Sequence, residues 1–153
     1  MNAESLELLA RVSSSVLADC AFLLTEPAEP AAALENDLVH AVIEVSGEQG
    51  ACLTLSLPWS LAVLVTADML GVSPDDPESE VEAEGAVAEL ANVLVGTLVD
   101  RFCAGLSCEI GLPTSYRGEP RANQSADADT ALLRSDSGEL IRVTWAMSAR
   151  AAS

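Results

Sequence analysis

Glu89 and Asn92 are the residues of this chain whose types and spacing could do chemistry together. They lie in Glu89-Leu-Ala-Asn92, with Gly85 one turn earlier and Gly96 one turn later, inside an apolar-periodic run from Val81 to Phe102. At about 100° per residue, a helix sets the acid and the amide side by side and puts both glycines on the same stripe. Val87, Ala91, Leu94, Leu98 and Phe102 fall on the opposite side and form the expected buried face. The pair should therefore face solvent between two patches of bare backbone. A carboxamide donates and accepts hydrogen bonds without becoming charged, so it can align a water for attack on an electrophile. Glycine inside a helix costs about 1 kcal/mol relative to alanine, so something must come close here. A docked partner is one candidate for Gly96; packing against a neighbouring element of the same fold is the other.

Other chemistries find less support. His40 is the sole histidine, and a nucleophilic triad would need it beside a serine and an acid. Its place in a strand without a local partner favours a structural or surface role. Asp75 and Asp76 could meet a hard cation, but the spaced oxygen ligands of an EF-hand are missing. Arg117 and Arg121 could clamp a phosphate, although two arginines in a loop say little. There is no lysine, which removes a phosphate-loop lysine and a Schiff-base lysine from consideration.

The net charge of −17 argues against nucleic acid, which needs a basic footprint, and against anionic membrane surfaces. No apolar segment is long enough to span a membrane, and Met1 to Glu7 lacks the positive charge of a secretory signal. A cytoplasmic protein is the expectation. Cys20, Cys52, Cys103 and Cys108 form no Cys-x-x-Cys pair and read as reduced core thiols. A disulfide between Cys103 and Cys108, or a metal site, is the remaining alternative. With aromatics at 3%, the core must be built from Ala, Val and Leu.

These residues need elements to position them. A first helix is expected from Glu4 to Leu24, capped by Asn2 and stopped by Thr25-Glu-Pro-Ala-Glu-Pro30. A strand from Leu34 to Val45 follows, with Val39, Ala41, Ile43 and Val45 on one face and His40 and Glu44 on the other. Ser46 to Gly50 turns into a second strand, Ala51 to Leu57, and Pro58 begins a short helix ending at Gly71. Val72 to Glu78 is a loop, and Ser79-x-x-Glu82 reads as a capping box opening the long helix. From Asp75 to Glu84 the chain carries six acids and no base, which a helix start partly accounts for. The long helix should end near Ala104-Gly105, before a strand from Leu106 to Leu112, a turn at Pro113 to Gly118 and a loop from Glu119 to Asp127. A hairpin closes the chain: Thr130 to Arg134, a turn at Asp136-Ser-Gly138, and Glu139 to Met147, with a frayed tail from Ser148. The expected class is α+β, with long helices on one face of a mostly antiparallel sheet. One domain over 1–153 is expected, with its ordered core at about 5–147.

Glu-x-x-Asn-x-x-x-Gly on a long helix, after a Met69-Leu-Gly71 helix end and an acidic loop, resembles the CheX members of the CheC, CheX and FliY family of chemotaxis phosphatases. Ile110-Gly-Leu-Pro-Thr114 and Gly118 look like the segment after the active helix in CheX-like domains. The opening helix and first hairpin match in order, so the resemblance spans about Ser5 to Met147. It implies hydrolysis of the aspartyl phosphate of a phosphorylated CheY-like receiver domain. Glu89 would then take the family's acidic position and engage the receiver's lysine, and Asn92 would take the amide position. Gly85 and Gly96 would let the helix approach the phosphorylated pocket. No cofactor of its own is implied; magnesium would belong to the receiver. The resemblance further implies one site rather than two, and a homodimer formed through the sheet. A receiver-binding or self-assembling module of the same fold, without catalysis, is the alternative.

Overall fold

The computed structural model describes residues 3–29, 32–119 and 128–148. Helix α1 (Ala3–Ala21) buries Leu9, Val12, Val16 and Leu17 at helical spacing. It stops three residues short of Leu24. Phe22 adopts a left-handed φ of 57°, and the Leu23 amide bonds back to the Leu17 carbonyl at 3.1 Å. That contact closes the helix from inside. The proline-rich stretch that reads as a helix stop also forms strand β1 (Thr25–Pro27), where an edge position tolerates proline.

Strands β2 (Leu38–Gly47) and β3 (Ala51–Pro58) pair antiparallel from Leu38 with Pro58 to Val45 with Ala51. The first begins four residues later than the hydropathy pattern suggests, because Leu34 to Asp37 lie outside the ladder. Pro58 ends β3 with an extended backbone, φ −56° and ψ 145°, and so caps α2 (Trp59–Leu70) rather than belonging to it. Gly71, with φ 72°, terminates that helix as expected.

The expected continuous helix is two helices, α3 (Pro77–Val81) and α4 (Ala83–Phe102), broken at Glu82. The capping box between Ser79 and Glu82 does not form. Pro77 favours the first helical position, so the helix starts earlier and Asp76 becomes its cap. The Asp76 carboxylate accepts from the Glu78 amide at 3.0 Å, while buried Ser79 donates its hydroxyl to the Ser73 carbonyl at 3.1 Å.

After α4 come β4 (Cys108–Ile110), β5 (Thr114–Gly118), β6 (Asp129–Ser135) and β7 (Leu140–Met147). The expected strand from Leu106 to Leu112 shortens to three residues, and the expected turn at Pro113–Gly118 is mostly strand. Both β4 and β5 pair with β2, and a bulge joins them: Gly111, Leu112 and Pro113 face only Ile43 and Glu44. The Gly111 amide donates to the Glu44 carbonyl at 2.8 Å, and a Cβ on Gly111 would come within 3.0 Å of that oxygen. Glycine and proline here thus mark a bulged edge, not a reversal. Ser148, expected to fray, is held by Gly50 and Gln49. Asn2, Arg121 and most of the expected loop at 119–127 lie outside the described residues.

The sheet runs β1-β6-β7-β3-β2-β4, with β5 also on β2, and every pairing is antiparallel. Helices α1 and α4 pack beside each other against one face, with α2 against α4. The core between the layers contains Leu9, Ile43, Leu55, Leu90, Leu94, Leu98 and Trp145. This is the α+β architecture expected.

The four cysteines are free thiols, so the alternative disulfide between Cys103 and Cys108 is not formed. Burial pushes the Cys52 and Cys103 thiols up from their ordinary value, keeping them protonated and poorly nucleophilic. Leu98→Ala should cost about 2–5 kcal/mol in urea unfolding because the site is fully enclosed. Asp76→Ala should cost about 1 kcal/mol through the lost cap. A thiol reagent should modify Cys52 and Cys103 slowly in the native protein and all four cysteines on denaturation.

Candidate functional site

The ridge on α4 follows from its own burial pattern. Ala83, Val87, Leu90, Ala91, Leu94, Val95 and Leu98 are buried, and together they pin the helix to the sheet and to α1 and α2. Gly85, Glu89, Asn92 and Val93 face outward, with Gly96 partly exposed; Glu84 near the amino end and Asp100 and Arg101 near the carboxyl end are exposed as well. Glu89 and Asn92 are both exposed, one turn apart, as the spacing predicts. Among the described residues neither side chain has a hydrogen bond or ion pair. Their polar atoms are available to another molecule.

The two glycines separate cleanly from intramolecular packing. Among the described residues, a Cβ on Gly96 would meet nothing within 4 Å outside its own helix backbone, and one on Gly85 would meet only Glu82 Oε2 at 3.9 Å. Neither has a positive φ. Among the described residues the neighbouring-element explanation for Gly96 therefore finds no support, and alanine would fit at both positions. Phe102 is only half-buried, tilted against Trp145 at 5.9 Å between ring centroids.

The amino end of the ridge is bordered by a group that the sequence does not assemble. Arg117 lies on β5, not in a loop, and holds Asp37 with two hydrogen bonds of 2.9 and 2.8 Å. Its guanidinium sits 3.7 Å above the Trp59 ring. The Arg117 hydrogen bonds hold the Asp37 carboxyl below the usual carboxylate range. Arg117 is thus already committed and is not a free phosphate clamp. Glu80 and Glu84 lie within its electrostatic reach. Only the partner-strand register brings Asp37, Trp59 and Arg117 together, and no local pattern announces it.

His40 does meet a serine, but not at a surface. Both His40 and Ser56 are 0% exposed, with Nδ1 2.7 Å from the Ser56 hydroxyl. Nε2 lies 2.9 Å from the Gly118 carbonyl, which can only accept, so Nε2 carries a proton; in the neutral imidazole the Ser56 hydroxyl then donates to Nδ1. Tyr116 stacks on the ring at 4.7 Å. With no access for substrate, this pair ties β2, β3 and β5 together on the sheet face away from the helices. Among the described residues no group of three His, Cys, Asp or Glu side chains could hold a metal, and no helix is long and apolar enough to cross a membrane.

The same arrangement of elements occurs in solved proteins. CheX from a Desulfovibrio desulfuricans subspecies superposes with a TM-score of 0.74 at 18% identity, over 95% of this chain and 99% of that one. CheX from Vibrio vulnificus gives 0.73 at 20% identity, over 95% and 97%. A CheX–CheY complex with BeF3 and magnesium from Borrelia burgdorferi gives 0.73 at 19% identity, over 92% and 96%. No curated protein matches the chain in sequence. The family model described as chemotaxis phosphatase CheX matches residues 39–133, which carry the first hairpin, the whole of α4 and the bulged edge. This chain belongs to the chemotaxis phosphatase CheX family.

Proposed function

We propose that this chain hydrolyses the aspartyl phosphate of a CheY-type receiver domain by inserting the α4 ridge into the phosphorylated pocket. The observation that carries this reading is the exposed, unpartnered Glu89 and Asn92 pair beside a glycine whose missing side chain serves no contact in the fold. The Borrelia neighbour bound to CheY supports the partner class.

An aspartyl phosphate is a mixed anhydride and needs little covalent help. Asn92 holds a water in line with the scissile bond. The water oxygen bonds to phosphorus, the bond from phosphorus to the aspartyl oxygen breaks, and the carboxylate leaves. The water's proton passes to solvent. A hundredfold acceleration requires only about 2.7 kcal/mol, within what alignment supplies. Glu89 accepts hydrogen bonds from the receiver's lysine and sets the helix in register. Magnesium belongs to the receiver in this reading.

Asn92→Ala should abolish accelerated phosphate release from a phosphorylated receiver while leaving receiver binding within a few-fold of wild type. Gly96→Ala separates function from fold: it should stabilise the protein by up to about 1 kcal/mol in urea unfolding. The added methyl group should nevertheless lower the dephosphorylation rate at least tenfold, since it stands where the pocket must approach. Phosphorylation-dependent binding with an unchanged rate of phosphate loss would instead make this a non-catalytic receiver-binding module. We further propose a homodimer built through the sheet, for which solution scattering should return twice the 15.9 kDa chain mass. A single-mass monomer would remove it.

A further inference from the structure

Resting on the receiver reading, we infer that Val81 and Val93 are the apolar anchors of the docking ridge. We infer also that the ridge selects receivers whose pocket rim combines a small apolar patch with basic side chains.

Exposure is the first ground. Val81 is 76% exposed and Val93 46%, although the chain buries most of its large aliphatic residues. A solvent-facing valine in a helix is unfavourable twice over, through its helix propensity and through its wetted surface. Val93 follows Asn92, lies one turn beyond Glu89 and precedes the open backbone at Gly96. Val81 ends α3 one turn before Gly85. The two valines therefore flank the polar pair along the chain, Val93 next to it on α4 and Val81 just beyond the break at Glu82.

Charge decides the occupant. Glu78, Glu80, Glu82 and Glu84 are all exposed at the amino end of the ridge. The neighbouring cation, Arg117, is neutralised by Asp37. A second copy of this chain, itself at −17, would bring like charge onto that end. A receiver rim bearing lysine or arginine removes the conflict and leaves its apolar patch for the valines. Phosphorylated receivers with acidic rims would then be poor substrates even with an intact pocket.

The test measures affinity for a CheY-type receiver loaded with beryllofluoride and magnesium, together with steady-state phosphate release from the phosphorylated receiver. The double variant Val81→Ala/Val93→Ala should fold at least as stably as wild type, since alanine is the better helix former. It should weaken binding and raise KM about fivefold to tenfold, with turnover at saturating receiver as in wild type. Glu80→Gln/Glu84→Gln should slow association and flatten its dependence on NaCl, while wild-type affinity falls as salt rises. Unchanged affinity in the valine variant, with wild type binding and turning over, overturns the anchors alone. Affinity that rises with salt overturns the basic rim. Loss of self-association in the valine variant with receiver affinity intact assigns the patch to a copy–copy contact and overturns the proposal. Wild type that neither binds nor accelerates phosphate loss overturns the receiver reading, and this inference with it.

Discussion

Everything on the outer surface of α4 depends on the apolar seam along its inner one. Val87, Leu90, Ala91, Leu94, Val95 and Leu98 are almost wholly excluded from water between the sheet, α1 and α2. Each buried valine or leucine is worth about 1.5–3 kcal/mol relative to exposure. A rotation of the helix by one residue would take several of them out together. The angular position of Glu89 and Asn92 is thus set by hydrophobic burial on the far side, not by any bond the polar pair makes. A ridge held this way keeps its orientation without spending its own polar groups.

The other face of the sheet solves a different problem. There the row Tyr116, His40, Ser56 and Arg142 crosses four strands in register. Hydrogen bonds of the His40 ring with the Ser56 hydroxyl and the Gly118 carbonyl let a titratable side chain stay buried. They also fasten β5, which among the described residues pairs only with β2, to the sheet. That fastening matters at a distance. Arg117 follows Tyr116 on the same short strand and reaches Asp37 and Trp59 beside the start of α4. The buried histidine on one face and the ion pair on the other stabilise the same edge.

The bulge at Gly111 to Pro113 belongs to this edge as well. By adding a residue opposite Ile43 and Glu44 it breaks the regular ladder and leaves Leu112 91% exposed. Bulges interrupt the unpaired backbone row that would otherwise invite uncontrolled strand addition.

Sequence alone determined whatever depends on short-range periodicity. The 3.6-residue repeat in α4 predicted that Val87, Ala91, Leu94 and Leu98 are buried, though not that Phe102 is only half-buried, and that Glu89 and Asn92 face out together. The alternation at Val39, Ala41, Ile43 and Val45 predicted the inward face of β2, and the left-handed glycine predicted the end of α2. It misplaced what depends on partners distant in the chain. Thr114 to Gly118 reads as a turn because its residues suit one, and only pairing with β2 makes it a strand. Thr25 to Pro27 is likewise a strand only because β6 lies beside it. Asp37, Trp59 and Arg117 meet across residues that no window spans. Gly96 shows the division most plainly. Its type raised the question of a close approach, but only the empty space around it in three dimensions could say that none of the described residues makes that approach.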